Sequence, residues 1–525
     1  MLPGMKYADG IRKSVQTAFG GYDHRRGAGE GALYDMENLT SAELPLLSAR
    51  RPRRLVRTLA KPNGFTACDG LYWVDGTGFY KDGVQKGTVS DSRKTFAVLG
   101  AYLLIFPDKA YYQRETDVFG SLEATWTGNV TFADGTLYGE SAAGCAIKTT
   151  GAAFPFEVGD AVTVTGCVTH PENNKTPVVR EKSADGRTLT FYENCFTVGA
   201  ENAVTLSRDV PDMDYVCVNE NRLWGCRGDT VYASKLGDPK NFHVFEGLST
   251  DSYAAAVGSA GDFTGACAFL GYPCFFKEAH IYKVYGDKPS NFQVMSSASL
   301  GTAAGSGASF GVAGEILFYL SRAGVVAFSG GIPENLSAPF GDVRYRNAVG
   351  GSDGVRYYAS MEAYSGARSM FVYDTRFAVW HREDGFDAVA FGWQDGLYAL
   401  SRAGGLWFLD AGGDAASQAD AGTEETVESF AEFADFTEGA PERKGAGKLE
   451  LRMELAAGSR VTVRIQYDSD GVWHDVKTLE ASRKRSFLLP VIPRRCDHYR
   501  LRLEGRGMWR LYSLARSFYT GSELH

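Results

Sequence analysis

A hairpin recurs along this chain, and its spacing limits the possible folds more than any other feature. Each instance is an apolar or aromatic strand, a polar turn and a second apolar strand. The copies are GLYWVDGTGFYKDG (70–83), AYLLIFPDKAYYQ (101–113), NRLWGCRGDTVYAS (221–234), YPCFFKEAHIYKVYG (272–286), EILFYLSRAGVVAFSG (315–330), VRYYASMEAYSGARSMFVYD (355–374) and DGLYALSRAGGLWFLD (395–410). The last three step by 40 residues, and Ser-Arg-Ala-Gly stands at both 321–324 and 401–404. A period of about 40 to 50 with roughly four strands per unit is the pattern of a β-propeller. An amphipathic four-stranded sheet cannot bury both faces alone, whereas copies stacked around an axis bury them and leave only short edges. Seven hairpins predict six or seven blades, so the expected class is all-β.

Composition agrees. The aromatic fraction is 13% and there are 62 Gly among 525 residues, which suits pleated strands joined by tight turns. No apolar stripe of helical period and useful length stands out; the best candidates are short pieces near Glu424 to Phe436. No run of about 18 apolar residues predicts a membrane span, and MLPGMKYADGIRKS lacks the apolar centre of a signal peptide. Nine Cys are scattered without a CxxC, which predicts reduced, mostly buried thiols rather than a disulfide framework or a zinc site.

The repeat breaks between residues 119 and 208. There FPFEVGDAVTVTGCVTHPENNKTPVVREKSADGRTLTFYENCF (154–196) alternates at period two and Asp185-Gly186 marks a hairpin turn, predicting a small inserted β-barrel domain. The expected organisation is an N-terminal arm at 1–60, a propeller at 61–118 and 209–412, the insert at 119–208, an acidic linker at 413–440 and a C-terminal β-sandwich at 441–525. In the sandwich Val461, Val463, Ile465 and Tyr467 share a face, as do Leu501 and Leu503, while Arg500 and Arg502 face the other way.

Charge is uneven. Net charge is −8, yet 441–525 hold 17 Lys/Arg and 10 Asp/Glu, or +7, so the rest carries −15 (−8 − 7). From Asp410 to Ala440 there are nine acids and no Lys or Arg. Two basic groups are candidate interaction surfaces: Arg50, Arg51, Arg53 and Arg54 in the arm, and Arg494, Arg495, Arg500 and Arg502 near the C-terminus. The first is read either as a segment lying against a neighbour or a polyanion, or as a strand with a solvated basic edge.

Chemistry is harder to find. The eight His are dispersed, and neither HExxH nor a P-loop occurs. Asp468-Ser469-Asp470-Gly471, with Trp473 nearby, reads as a polar turn over a core Trp in preference to a Ca²⁺ loop, because the Glu480 context is a strand. The enzyme reading to test is glycoside hydrolysis by paired carboxylates, with Lys277, Glu278 and His280 on one hairpin and His381, Arg382, Glu383 and Asp384 on another. Solvated turn charges are the plainer account of both. No catalytic residue, metal or cofactor is assigned.

Three segments carry a resemblance. DMENLTSAELPLLSARRPRR (35–54) resembles the N-terminal segment of bacteriophage virion proteins that precedes a propeller. SKLGDPKNF (234–242) resembles the Asp-Pro-x-Asn-Phe blade turn of phage tail nozzle and head–tail completion proteins. PRRCDHYRLRLEGRGMWRLYSLARSFYTGSE (493–523) is similar to their closing sandwich strands. The resemblance implies a non-enzymatic virion component assembled in the bacterial host cytoplasm, a homo-oligomeric ring such as a hexamer, touching portal or adaptor proteins and passing DNA without reading its sequence. A carbohydrate-binding or glycan-degrading tail protein, and a bacterial propeller scaffold, are the alternatives.

Overall fold

The computed structural model describes residues 12–137, 139–192, 195–409, 422–424, 426–439, 443–492 and 494–520. Among them the regular structure is β-strand, with three 3₁₀ turns and no α-helix. No helix is long and apolar enough to cross a membrane.

The hairpins lie in antiparallel meanders of the propeller-blade kind. Four-stranded sheets cover 62–88, 95–121, 215–256, 265–298, 311–335 and 345–382, each with its strands in chain order. A further sheet at 388–408 has three strands of its own and gains Arg54–Thr58 beside Gly405–Phe408, followed by Gly422–Thr423. The fold is therefore all-β and of propeller type. Both copies of Ser-Arg-Ala-Gly are hairpin turns: Ser321 Oγ donates to the Gly324 carbonyl, and Ser401 Oγ accepts from the Gly405 N–H. This turn explains why the tetrapeptide recurs.

The chain divides into two compact units, 72–303 and 1–71 with 304–525. In the first, Tyr72, Phe79, Phe96 and Tyr112 stack between neighbouring meanders. Leu104, Phe106, Leu223 and Phe242 form the next apolar layer, and Trp224, Phe263, Phe275 and Tyr282 the one after. The insert is a six-stranded sheet with its own core of Val130, Phe132, Phe154, Phe156, Leu189, Phe191 and Leu206. It curls shut: Val162 and Val164 N–H donate to the Pro177 and Lys175 carbonyls, and Val179 N–H to Asp160. Asp185-Gly186 does form its hairpin turn, with Gly186 at φ +68°.

In the second unit two sheets face each other as a sandwich. One runs Leu33–Glu37, Glu428–Phe433, Tyr499–Arg506, Arg460–Tyr467, His474–Glu480. The other centres on Trp509–Thr520 and Lys444–Leu455, flanked by Leu39–Thr40, Leu47–Ala49, Arg12–Gln16, Arg485–Pro490 and Arg495–Cys496. Val461, Val463, Ile465, Tyr467, Leu501 and Leu503 all point into its core, as their alternation requires.

Two expectations need correction. Residues 12–58 are not an arm, because four of their strands complete the sandwich and a fifth completes the sheet of 388–408. Their apolar side chains Phe19, Tyr22, Leu33, Met36, Leu39 and Leu47 are buried in the same core as Phe371 and Trp380. Nor is 413–440 wholly a linker. Glu428–Phe433 is a central strand that buries Ser429, Ala431 and Phe433 and turns Glu428 and Glu432 outward. Of that stretch, 413–421, 425 and 440 lie outside the described residues.

Candidate interaction surface

The Arg50–Arg54 run does not form the surface its composition suggests. Arg50 and Arg53 are only 6% and 3% exposed. Arg53 donates to Glu383 at 2.7 Å and to both Asp384 oxygens at 2.8 and 2.9 Å, and its backbone N–H donates to Glu424 at 2.8 Å. Arg50 donates to Glu424 at 2.6 and 3.1 Å, to Asp384 at 3.2 Å and to Asn38 Oδ1 at 2.7 Å. Asn38, at φ +55°, in turn donates to the Glu428 carbonyl. Bidentate geometry of this kind offsets the cost of taking guanidinium and carboxylate out of water. Burial pulls the Arg53 pKa down, but Glu383, Asp384 and Glu424 outweigh it and the net shift is upward. Asp384 is held low: burial raises it, and Arg53 and Arg50 lower it further than that. Of the other two residues, Arg51 is exposed and Arg54 lies half-buried with its guanidinium 5.5 Å from the Phe408 ring centroid.

The C-terminal group is nearer the surface yet also partnered. Arg500 pairs with Asp435 and Glu432, and its guanidinium sits 4.7 Å from the Tyr34 ring. Arg502 bridges Glu432 and Glu504 and lies 4.1 Å from the Phe430 ring. Arg494 is exposed, 3.5 Å from Asp470 and over Tyr467, and Arg495 is exposed. On the same sheet face runs a groove of about 490 Å³, lined among others by Glu37, Phe430, Arg460, Thr462, Arg502 and Glu504. The Thr462 and Thr478 hydroxyls lie 3.1 Å apart across it, and Glu504 joins Arg464 to Arg502.

The groups weighed for catalysis are spent on structure where their partners are described. Glu383 and Asp384 hold Arg50 and Arg53. His381 is buried, its Nδ1 has no hydrogen-bond partner among the described residues, and burial pushes its pKa down to about 4. Lys277 Nζ donates to the Ser259 carbonyl and lies over the Phe263 ring. In the 468–471 turn, Asp468 accepts from the Asp497 N–H and Asp470 from the Val472 N–H. Among the described residues no three His, Cys, Asp or Glu side chains gather to hold a metal. The string Gly-x-Ser-x-Gly also occurs twice, at 307–311 and 350–354, but a nucleophile elbow needs a strand-to-helix turn. Here Ser309 Oγ accepts from the Leu320 N–H and Ser352 Oγ from the Gly354 N–H, both in β context.

One polar site was not foreseen. Asn241, in the Asp-Pro-Lys-Asn-Phe turn, accepts from the Ala161 N–H and donates to Asp160 and Asp238. Asp160 also pairs with buried Arg208, which donates to the Leu122 carbonyl. The blade turn thereby anchors the inserted barrel.

No family model and no curated protein matches the chain. Among solved structures, a putative 6-phosphogluconolactonase from Bacteroides uniformis shares 13% identity, over 69% of this chain and 99% of that one, at a TM-score of 0.25. An exo-β-1,3-galactanase from Phanerochaete chrysosporium shares 7%, over 57% and 94%, at 0.21. A bifunctional GH43-CE protein from Bacteroides eggerthii shares 10%, over 56% and 62%, at 0.18. Superpositions this poor carry nothing about what this chain does.

Proposed function

We propose that this chain is a non-catalytic structural protein of a bacteriophage virion, a tail nozzle or head–tail junction component that forms a ring of identical copies around the DNA exit channel. It is assembled in the bacterial host cytoplasm and touches portal or adaptor proteins. One observation carries the reading: the three stretches that resemble phage proteins are the ones that fasten the fold. The first supplies Asn38, Arg50 and Arg53 to the buried ion-pair cluster. The second supplies Asn241 to the barrel anchor. The third supplies Tyr499 and Arg516, both bonded to buried Glu438. Short motifs that each hold a distant part of the chain mark a shared architecture rather than a shared chemistry. Electron microscopy of the purified protein, with antibody labelling of particles from the source phage, tests it. Annular assemblies and label at one end of the particle are expected; a monomer at every concentration, absent from particles, overturns it.

A second reading, glycan binding by a tail protein, is favoured by the sandwich groove, whose hydroxyls, guanidinium groups and carboxylate suit hydroxylated ligands. A glycan array and a hydrolysis screen separate the two. Glycan retention that is lost in Thr462→Ala or Glu504→Gln, with folding intact, would favour it.

A further inference from the structure

The outward face of the five-stranded sandwich sheet is laid out in rows across its strands. Glu37, Phe430, Glu504, Thr462 and Thr478 stand side by side in the register, one from each strand. All five line the groove of about 490 Å³. With neighbouring strands about 4.8 Å apart, the row runs about 19 Å, room for a short chain of sugars. The rows on its two sides differ. On one side Arg502 and Arg464 are already matched, the first by Glu432 and Glu504, the second by Asp475 and Glu504. On the other side Arg506 and Arg460 also line the groove. They are directly opposite each other, exposed, and make no ion pair among the described residues. Glu428 and Glu480 flank them in the register, and neither forms an ion pair with them there. Like charges directly opposite on adjacent strands repel, so an anion seated between the two guanidinium groups relieves them.

The rest of the groove selects the kind of anion. Glu37, Glu428 and Glu504 line it as well, so the evenly spaced phosphates of a nucleic acid would meet carboxylates along its length. A ligand charged at one unit and hydroxylated at the next avoids that repulsion. The Thr462 and Thr478 hydroxyls share one hydrogen bond, which leaves one O–H to donate and lone pairs to accept. Glu504 adds acceptors beside them. Stacking has little part, because the Phe430 ring already carries the Arg502 guanidinium at 4.1 Å and the Arg382 guanidinium at 5.7 Å. We infer that this groove binds an acidic oligosaccharide, with the carboxylate of one sugar between Arg460 and Arg506 and the hydroxyls of its neighbours on Thr462, Thr478 and Glu504. The inference rests on the glycan reading above, names the class of glycan, and does not need the ring.

An array of uronate-bearing and neutral bacterial polysaccharides, probed with the full chain, tests it, each acidic member printed beside its carboxyl-reduced form. Retention is expected on the uronate-bearing members and should vanish on their reduced forms. Calorimetry with an oligosaccharide released from the best-retained member should show affinity falling about tenfold or more in Arg460→Ala/Arg506→Ala, at an unchanged melting point, because charge-assisted hydrogen bonds are lost. Arg460→Lys/Arg506→Lys should recover part of that loss, since the charge stays and the bidentate fork goes. Equal retention of acidic members and their reduced forms overturns the inference and leaves the glycan reading standing. No retention of any member removes the glycan reading as well. Equal affinity in wild type and the alanine variant puts the sugar elsewhere and overturns the inference. Free glucuronate or inorganic phosphate bound as tightly as the oligosaccharide overturns it in favour of a simple anion site. A labelled DNA strand that wild type retains and the alanine variant loses overturns it in favour of nucleic acid.

Discussion

Truncating Arg53 strands Glu383 and Asp384 in a site the guanidinium was holding closed. Removing one partner of a buried charge cluster costs about 3–5 kcal/mol, so Arg53→Ala should lower the denaturant midpoint sharply without changing the slope. Adding Glu383→Gln and Asp384→Asn should recover part of that loss, because the abandoned charges are then gone. His381 sets a pH dependence through burial rather than pairing. Its folded pKa near 4 lies below the usual 6.5, so the unfolded chain takes up the proton first. Its contribution is full above about pH 6.5, shrinks as pH falls toward 4, and is gone below that, a loss of roughly 3 kcal/mol at about 1.4 kcal/mol per unit. Asp374 adds a second loss at lower pH: burial raises it, but Arg376 and Ser41 hold it down to about 2, so its contribution fades as pH falls from about 4 through 2. Denaturation curves at pH 7.5, 5.5 and 4.5 should show the first loss in wild type and a flatter profile in His381→Phe.

At the scale of elements, Arg54–Thr58 is the strand on which the 388–408 sheet depends. Leu59 N–H donates to the Gly404 carbonyl, and Gly404 stands at φ +97°, where a Cβ would strike the Leu59 carbonyl oxygen. Gly404→Ala should therefore cost more than the usual 1 kcal/mol of a glycine in the left-handed region and raise proteolysis near residue 60, readable by limited digestion. The blades were legible in the sequence because a hairpin is local: strand, turn and strand lie within some fifteen residues, and the polar turn repeats. The barrel was legible for the same reason, through period-two alternation around Asp185-Gly186. The strands between 12 and 58 were not. Arg50, Arg53 and Arg54 look solvated in any local window, and the carboxylate that buries Arg53 lies 330 residues away. The strand Glu428–Phe433 was hidden differently. Its alternation of Ser429, Ala431 and Phe433 against Glu428 and Glu432 is present, but the surrounding acids read as a linker. Of the candidate interaction surface, Arg500 and Arg502 were legible on the face opposite Leu501 and Leu503. What sequence could not supply was which arginines already have partners.

For the molecule as a whole, the inserted barrel is separable on geometric grounds. Ala124 and Arg208 are cross-strand partners, so the two ends of the insert lie side by side and a short Gly-Ser bridge can replace 125–207. The excised chain should fold with a lowered melting point, since Asn241 loses Asp160 and Ala161, Arg208 loses Asp160, and both side chains must be rehydrated. If the barrel decorates the assembly, the shortened chain should still form the same oligomer. The account turns most directly on that oligomer, and native mass spectrometry of the intact protein at micromolar concentration reads it. A single closed species at an integer multiple of 57.0 kDa, the same at twofold and tenfold dilution, is the predicted result. A 57.0 kDa monomer at every concentration and salt would contradict it.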